Sequence, residues 1–337
     1  MSKKICVYGA GSIGCYVGGR LAATGANVNF VGRQRLADEI NKNGLHLTDY
    51  LGADYSVDAK HIDYSTEPNV AAEADLILVT VKSAATEEVG RLLHPIIRAD
   101  AIVVSFQNGL HNAEVLSEQL PGRTVLTGMV QYNVLNRGQG AFHQGSEGGL
   151  EASSHFALKP FLSAFDKAGL NLELHDNMRS IQWAKLLLNL NNPVNALSGL
   201  PLKEELSQRD YRRCVALAQT ECLHLLDQAG IKPAKLTPLP PHWIPKLLCV
   251  PDWLFRLLAN KMLEIDPLAR SSMWEDLEAG RRTEIDWING EVVKLAESLN
   301  QTAPINSRLI TLIRDAENGG KRDWTGKQML DELNSAQ

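Results

Sequence analysis

The chain has 337 residues, 44% of them hydrophobic and 22% charged, with a formal net charge of -5. That length exceeds what one hydrophobic core normally organises, so two domains are expected. The mild charge is interspersed and forms no basic stripe, and no uninterrupted apolar run suits a membrane span, so neither a nucleic-acid nor a membrane partner is expected.

Met1-Ser2-Lys3-Lys4 leads directly into the apolar run Ile5 to Tyr8, which is far shorter than the hydrophobic region of a signal peptide. A cytoplasmic location is the expectation. The run feeds the turn Gly9-Ala10-Gly11-Ser12-Ile13-Gly14, a G-x-G-x-x-G pattern. In a dinucleotide grip the first glycine permits the tight turn, the second lets backbone approach a pyrophosphate, and the third allows close helix-strand packing. The amides that open the following helix receive the negative charge. Glycines at this spacing also occur in ordinary turns, so the context decides. Ile13, Val17 and Leu21 follow at helical spacing, and Gly25 with Asn27 closes that helix before a second strand, Val28 to Val31. An NAD site usually carries Asp or Glu about 20 residues past the glycines. Here the strand ends Phe30-Val31-Gly32-Arg33-Gln34-Arg35. A guanidinium suits a 2′-phosphate through forked hydrogen bonds, so NADPH is the expected cofactor with Arg33 as its main reader. Arg35 either shares that role or is a solvated surface arginine.

Asp75 to Val81 reads as a buried strand ending at Lys82, with Ser83 capping a helix towards Ile97. Ala101 to Phe106 is the next strand, Gln107-Asn108-Gly109 a turn, and His111 to Leu120 another helix. Ligands of open parallel sheets gather beyond the carboxyl ends of the strands, where Lys82 and Asn108 stand. The alternating, glycine-rich stretch Thr124 to Glu151 suggests antiparallel strands finishing the sheet, followed by a helix at Phe156 to Ala168 and a last strand at Leu170 to Leu174. The expected fold class is α/β, a Rossmann-type doubly wound sheet over residues 1–176 followed by an all-α domain over residues 177–337.

The helical half carries apolar-faced segments at Ile181 to Leu197, Tyr211 to Ala229, Trp253 to Leu263 and Arg282 to Asn300. Between them, Pro233 to Pro245 reads as an irregular connection. Trp243, Trp253 and Phe255 are expected in the core or as anchors of a homodimer. Lys185 sits among Ile181, Trp183, Ala184 and Leu186 to Leu188, and on an unbroken helix it shares a face with Asn189 and Asn192. A lysine desolvated there would release its proton more readily and act as a donor with two orienting amides; the competing account is a snorkelling surface lysine. A second polar cluster runs through Ser271-Ser272-Met273 and Thr283-Glu284-Ile285-Asp286. Thr283 with Asp286 suggests a capping box and a helix starting at Glu284, where the carboxylate either serves chemistry or complements the helix dipole. On one continuous helix Ser272 and Glu284 would be about 18 Å apart, so a break at Gly280 is required if both touch one small molecule. The five cysteines lack C-x-x-C spacing and read as reduced, mostly buried thiols. His111, His143, His175 and His224 lack metal-ligand spacing, and no metal is expected.

Taken in order, the glycine turn, the Val81-Lys82 strand end, the Asn108-Gly109 turn and the paired Ser-Ser-Met and Thr-Glu-Ile-Asp signatures resemble those of the ketopantoate reductase (2-dehydropantoate 2-reductase) family over nearly the whole chain. The resemblance implies transfer of an NADPH hydride to the C2 ketone of a small α-keto acid, giving D-pantoate. It implies Lys185 as general acid on the ketone oxygen and Glu284 as the group that binds the substrate hydroxyl and supports the lysine. Asn108, Asn189, Asn192 and Ser272 would contact substrate, with Lys82 and Asn108 on the nicotinamide-ribose side of the cofactor. Two positions depart from the family. One residue fewer separates Lys185 from the Asn192-Pro193 pair, which leaves Asn191 and Asn192 both open as the inward residue, and Ala269 stands where a substrate-contacting asparagine is expected. Two other readings stay open. One is a different two-domain NADP-dependent dehydrogenase, of the 6-phosphogluconate or opine type. The other is a non-catalytic NADPH sensor.

Overall fold

The computed structural model describes residues 3–258 and 269–336. The chain folds as two compact units, Met1–Met178 and Arg179–Gln337. Strands of the first unit, in chain order, are β1 (Lys4–Tyr8), β2 (Asn27–Val31), β3 (Leu45–Asp49), β4 (Asp54–Val57), β5 (Asp63–Ser65), β6 (Leu76–Val79), β7 (Ile102–Ser105), β8 (Thr124–Val130), β9 (Val134–Gly138), β10 (Ala141–Gln144), β11 (Leu150–Ser153) and β12 (Leu172–His175). Its helices are α1 (Ser12–Ala23), α2 (Gln34–Asn43), α3 (Thr86–Leu93), α4 (Asn112–Gln119) and α5 (Lys159–Lys167).

The main sheet runs β12-β11-β8-β7-β6-β1-β2-β5. From β1 the chain moves outward through β2 to β5, then returns to the other side of β1 with β6, β7 and β8, all parallel. The strand order therefore reverses between β1 and β6, the position where open α/β sheets bind ligands. Alternation along the strands explains why both faces are covered. Ile5, Val7 and Phe30 point into one apolar cluster with Val17 and Leu21 of α1, whereas Cys6, Ile77 and Val103 point into a second with Val89 of α3 and Leu116 of α4. Full burial of each of Ile5, Val7 and Phe30 contributes about 1.5–3 kcal/mol.

The stretch from Thr124 to Glu151 corrects the expectation of a purely antiparallel edge. β8 continues the parallel order beside β7, and β11 returns antiparallel to β8 and carries β12 in parallel at the edge. β9 and β10 leave this sheet altogether and form a second one, ordered β4-β3-β10-β9. Their hairpin turns through Gly138, Gln139 and Gly140, all at positive φ (77°, 54° and 75°). β10 then pairs in parallel with β3, some ninety residues earlier in the chain. Arg20 of α1, 3% exposed, fastens the far side of this arrangement. Its guanidinium donates to Tyr16 Oη at 2.6 Å, to the Ala168 carbonyl at 3.0 Å and to the Gly169 carbonyl at 3.5 Å, and lies 3.5 Å from Asp49.

From residue 178 onward the described residues form only helices and turns: α6 (Met178–Asn189), α7 (Asn192–Ser198), α8 (Leu202–Leu206), α9 (Arg209–Gln228), α10 (Ile244–Leu248), α11 (Asp252–Leu258), α12 (Ser272–Glu278), α13 (Asn289–Ser298), α14 (Pro304–Glu317) and α15 (Gly326–Asn334). The twenty-residue α9 is the hub, packed by α10, α13, α14 and α15. Its buried Arg212 donates to the carbonyls of Leu206, Leu248 and Val250 and pairs with Asp252 at 2.9 Å, which fixes the connection from α8 into α9 and the one that follows α10.

Three helical expectations change. The segment Ile181 to Leu197 is two helices, because Pro193 in the first turn of α7 offers no N–H and disfavours helical backbone just before it. Asn192 therefore opens a separate helix and does not continue the face of Lys185 and Asn189. The segment from Arg282 is not helical at its start: Glu284 precedes a short 3-10 turn, Ile285–Trp287, and α13 begins at Asn289. Trp243 and Trp253 are 58% and 69% exposed and so are not core residues of the described chain, whereas Phe255 is fully buried. The helix expected at Trp253 to Leu263 is present to Leu258, and its remainder lies outside the described residues. Among the described residues no helix is long and apolar enough to cross a membrane.

Candidate active site

In the first unit the glycine turn sits at the carboxyl end of β1. Gly9 has φ 110°, and the N–H groups of Gly9 and Ala10 both donate to the Val31 carbonyl at 2.9 Å, tying the turn to the end of β2. Each glycine meets a different demand. A Cβ on Gly9 would lie 2.5 Å from the Val81 nitrogen, and one on Gly14 would lie 2.5 Å from the Gly9 carbonyl oxygen and 2.6 Å from the Thr80 hydroxyl. Around Gly11 the space is open, the nearest atom to an added Cβ being 3.9 Å away. α1 begins there with no side-chain cap and no acidic residue in its first turn, so the amides near Ser12 and Ile13 are left for an anion. This cradle fits the pyrophosphate of a dinucleotide.

Arg33 lies just past β2, immediately before α2, with its side chain exposed and no ion pair among the described residues. Its backbone carbonyl accepts a hydrogen bond from Tyr64 Oη at 3.2 Å, which anchors the loop. Arg35 extends into solvent and comes within 4.0 Å of Glu39.

Across the sheet's reversal point stand Lys82 and Asn108. Lys82 is exposed just beyond β6, and Asn108 follows β7. The expectation that Ser83 caps the next helix is corrected: its hydroxyl donates instead to the Asn108 carbonyl at 2.8 Å, and α3 begins three residues later. The same carbonyl accepts Asn112 Nδ2 at 2.5 Å. Behind it, Thr86 Oγ1 donates to Asn112 Oδ1 at 2.7 Å, Gln107 Nε2 donates to Thr86 Oγ1 at 2.7 Å, and Ser105 Oγ donates to Gln107 Oε1 at 2.8 Å. All five side chains are buried. The backbone that carries Lys82 and the backbone that carries Asn108 are thus held together by a polar network that sequence reading missed.

In the second unit Lys185 is half-buried on α6 between buried Ala184 and Leu186, with Asn189 one turn further along. Burial lowers its ammonium from the usual 10.5 to about 8, the desolvation expected from its apolar neighbours. Ser272 is the exposed first residue of α12. Ser271 caps that helix by accepting the Trp274 N–H at 3.2 Å and donates its hydroxyl to the Asn192 carbonyl at 3.3 Å, which brings Asn192 and Ser272 to neighbouring positions. Asn191 is turned elsewhere, its Nδ2 lying 3.4 Å from Glu205 Oε2. Gly280, at φ 61°, ends the α12 region and supplies the break required before Glu284. Glu284 is 9% exposed. The capping box expected at Thr283 does not form around Asp286. Thr283 donates its N–H and its hydroxyl to Glu317 of α14, each at 2.8 Å, and thereby holds the turn that bears Glu284.

Glu205 was not marked by the sequence, where Lys203-Glu204-Glu205 resembles a solvated face. It is fully buried, and burial pushes its carboxyl up to about 8 against the hydrogen bonds from Asn195 and Asn191. Elsewhere, Glu151, Glu173 and His175 bring ligand-type atoms within 4.8 Å of one another at the β11–β12 edge. His175 is hydrogen-bonded to Glu151, which also accepts Gln131 Nε2.

The family model described as "Ketopantoate reductase PanE/ApbA" matches residues 5–155, and that described as "Ketopantoate reductase PanE/ApbA C terminal" matches residues 177–317. A 2-dehydropantoate 2-reductase of Pyrococcus horikoshii is 31% identical over 326 residues, covering 94% of this chain and 98% of that protein. Among solved structures, a PanE/ApbA family ketopantoate reductase from Ralstonia eutropha JMP134 is 28% identical with a TM-score of 0.79, covering 94% of this chain and 99% of that one. A D-mandelate dehydrogenase solved with NADH and anilino(oxo)acetate, 20% identical at a TM-score of 0.77 over 94% of this chain and 99% of its own, shares the fold.

Proposed function

This chain belongs to the ketopantoate reductase family, and on that premise we propose that it uses NADPH to reduce the C2 ketone of 2-dehydropantoate, or of a closely related small α-keto acid, to the 2-hydroxy acid. The family is one of oxidoreductases, and a nicotinamide cofactor goes with it. The observation that carries the proposal is Lys185, a half-buried lysine held near pKa 8 on an apolar helix, in a chain whose first unit begins with a dinucleotide cradle.

Gly9, Ala10, Gly11, Ser12, Ile13 and Gly14 hold the pyrophosphate, and Arg33 pairs with the 2′-phosphate. Lys82 and Asn108 face the nicotinamide-ribose side. A reduced nicotinamide held there would supply the hydride. The Lys185 ammonium hydrogen-bonds the ketone oxygen, stabilises the negative charge that develops there and gives up its proton to it. A lowered pKa shortens the thermodynamic distance to that transfer near neutral pH. Glu284 binds the substrate hydroxyl and supports the lysine, while Asn189, Asn192 and Ser272 hold the remaining polar groups. Asn192 takes this role in preference to Asn191, whose amide is committed to Glu205. With Ala269 in place of the family's asparagine, one substrate hydrogen bond is lost, so the natural keto acid can differ from 2-dehydropantoate. We place the enzyme in the cytoplasm as a homodimer.

The test is NADPH oxidation with 2-dehydropantoate, 2-oxoisovalerate and amino-acid plus keto-acid pairs, beside NADP+ reduction with 6-phosphogluconate. Turnover highest with 2-dehydropantoate or another branched α-keto acid supports the proposal. Tight NADPH binding with no turnover on any of them would convert the reading to a sensor.

A further inference from the structure

Glu205 belongs to none of the groups assigned above to cofactor or substrate, yet it sits at the root of the segments that carry two of them. Its Oε2 accepts Asn195 Nδ2 at 2.9 Å and Asn191 Nδ2 at 3.4 Å. Asn195, fully buried, also donates to the Leu200 carbonyl at 3.0 Å and accepts the Ser271 N–H on its Oδ1 at 2.9 Å. Ser271 in turn donates to the Asn192 carbonyl at 3.3 Å and caps α12. One run of hydrogen bonds therefore leads from a buried carboxyl to the first residue of α7 and to the first residue of α12.

We propose that Glu205 is a positioning residue, which through Asn191 and Asn195 fixes the break between α6 and α7 together with the approach to α12, and so sets how Asn192 and Ser272 are presented to the keto acid. The inference rests on the reading that those two residues bind substrate.

Two acceptors in the cluster, Glu205 Oε1 and Asn191 Oδ1, are buried and have no partner among the described residues. An ionised carboxylate has no way to satisfy either. With a proton on Glu205 Oε2 and the Asn191 amide flipped, the carboxyl donates to the amide oxygen, and the Oε1 that remains is the oxygen of a neutral acid, whose burial costs less than that of a carboxylate. The surroundings favour the neutral acid. α9 turns Tyr211 and Cys214 towards it, α7 and the residue before it offer only asparagines, and the other charged residues of its own helix, Lys203 and Glu204, are exposed. The adjacent cations Arg212 and Arg270 are committed to the carbonyls of Leu206 and Gly199, and Glu205 has no ion pair among the described residues.

Two measurements on Glu205→Gln and Glu205→Leu test this in the full-length enzyme. Glutamine is neutral, accepts from Asn195 and donates to Asn191, so Glu205→Gln should keep the KM for 2-dehydropantoate within about twofold of wild type, whereas Glu205→Leu, which removes the partner that Asn195 and Asn191 share, should raise it about tenfold or more with the KM for NADPH unchanged. The second measurement is melting temperature between pH 5 and pH 8. The folded wild type keeps a proton that the unfolded chain loses above its ordinary carboxylate pKa, so its stability falls as pH rises through this window, and Glu205→Gln should lack that part of the slope. An unchanged keto-acid KM in Glu205→Leu, or equal losses in both variants, overturns the positioning role. Parallel pH curves for wild type and Glu205→Gln overturn the neutral acid. If no keto acid is turned over, the functional reading fails on its own account, and the melting curves still decide the state of Glu205.

Discussion

The Ser83 hydroxyl donates to the Asn108 carbonyl at 2.8 Å, so the ends of the neighbouring parallel strands β6 and β7 are tied beside the point where the strand order reverses. Asn112 donates to the same carbonyl and accepts from Thr86, which makes it the keystone of the buried network. Replacing Asn112 with Ala leaves the Thr86 hydroxyl and the Asn108 carbonyl short of a partner. The expected loss is about 1–3 kcal/mol of stability by chemical denaturation, together with a raised KM for the keto acid as Asn108 loses its anchor. A variant with altered stability and unchanged KM would separate Asn108 from substrate binding.

Lys185→Ala should remove most turnover while leaving NADPH affinity nearly intact if, as proposed, the ammonium acts on the reacting oxygen and not on the phosphates. Cofactor titration by nicotinamide fluorescence checks the second half of that statement. The pH dependence follows from the lowered pKa of about 8. In the proposed mechanism the protonated lysine is the active form, so kcat/KM should be flat below that value and fall as pH rises through it.

Arg33→Ala should weaken NADPH by the value of a charge-assisted hydrogen bond, about 1.5–3 kcal/mol, and leave NADH binding nearly unchanged. Equal losses for both cofactors would show that Arg33 does not read the phosphate. Arg35→Ala, at a residue spent on solvent and Glu39, should change neither by more than a few tenths of a kcal/mol.

Gly11→Ala and Gly14→Ala should separate binding from folding. A methyl at position 14 would lie 2.5 Å from the Gly9 carbonyl oxygen, so α1 must move off the sheet at a cost of about 1–3 kcal/mol. At position 11 the methyl meets nothing closer than 3.9 Å, and the protein should melt at the wild-type temperature. Its cost appears only when a dinucleotide is added, because the methyl occupies the approach of the pyrophosphate. Calorimetric titration with NADPH beside thermal melting distinguishes the two.

Much of this was legible in the sequence where a local pattern and a global requirement coincide. The glycine turn, the buried strands β1, β6 and β7, and the long helix α9 each announce themselves through periodicity and punctuation. What escaped depends on partners remote in the chain. Nothing near Ala141 says that β10 will join β3 and not the main sheet, and Thr283 looks like a local cap because its true acceptor, Glu317, is supplied by another helix. The one-residue shortening before Pro193 hides the difference between Asn191 and Asn192 until Glu205 is seen to claim the former. A buried, protonatable glutamate leaves no trace in a stretch that also reads as an exposed acidic turn.

The pairing of β3 with β10, and the grip of Arg20 on the carbonyls of Ala168 and Gly169, bear on how the protein emerges from the ribosome. The glycine turn lies within the first fifteen residues, yet Arg20 of α1 behind it takes two of its acceptors, the Ala168 and Gly169 carbonyls, from about 150 positions later. A nascent chain shorter than about 145 residues exposes the edge of β3, and one shorter than about 170 lacks two of the Arg20 acceptors, so the nucleotide grip matures late although it is made first. Truncations ending before β12 should accordingly aggregate or be proteolysed, whereas the first unit taken through residue 178 carries every strand and acceptor that this grip needs.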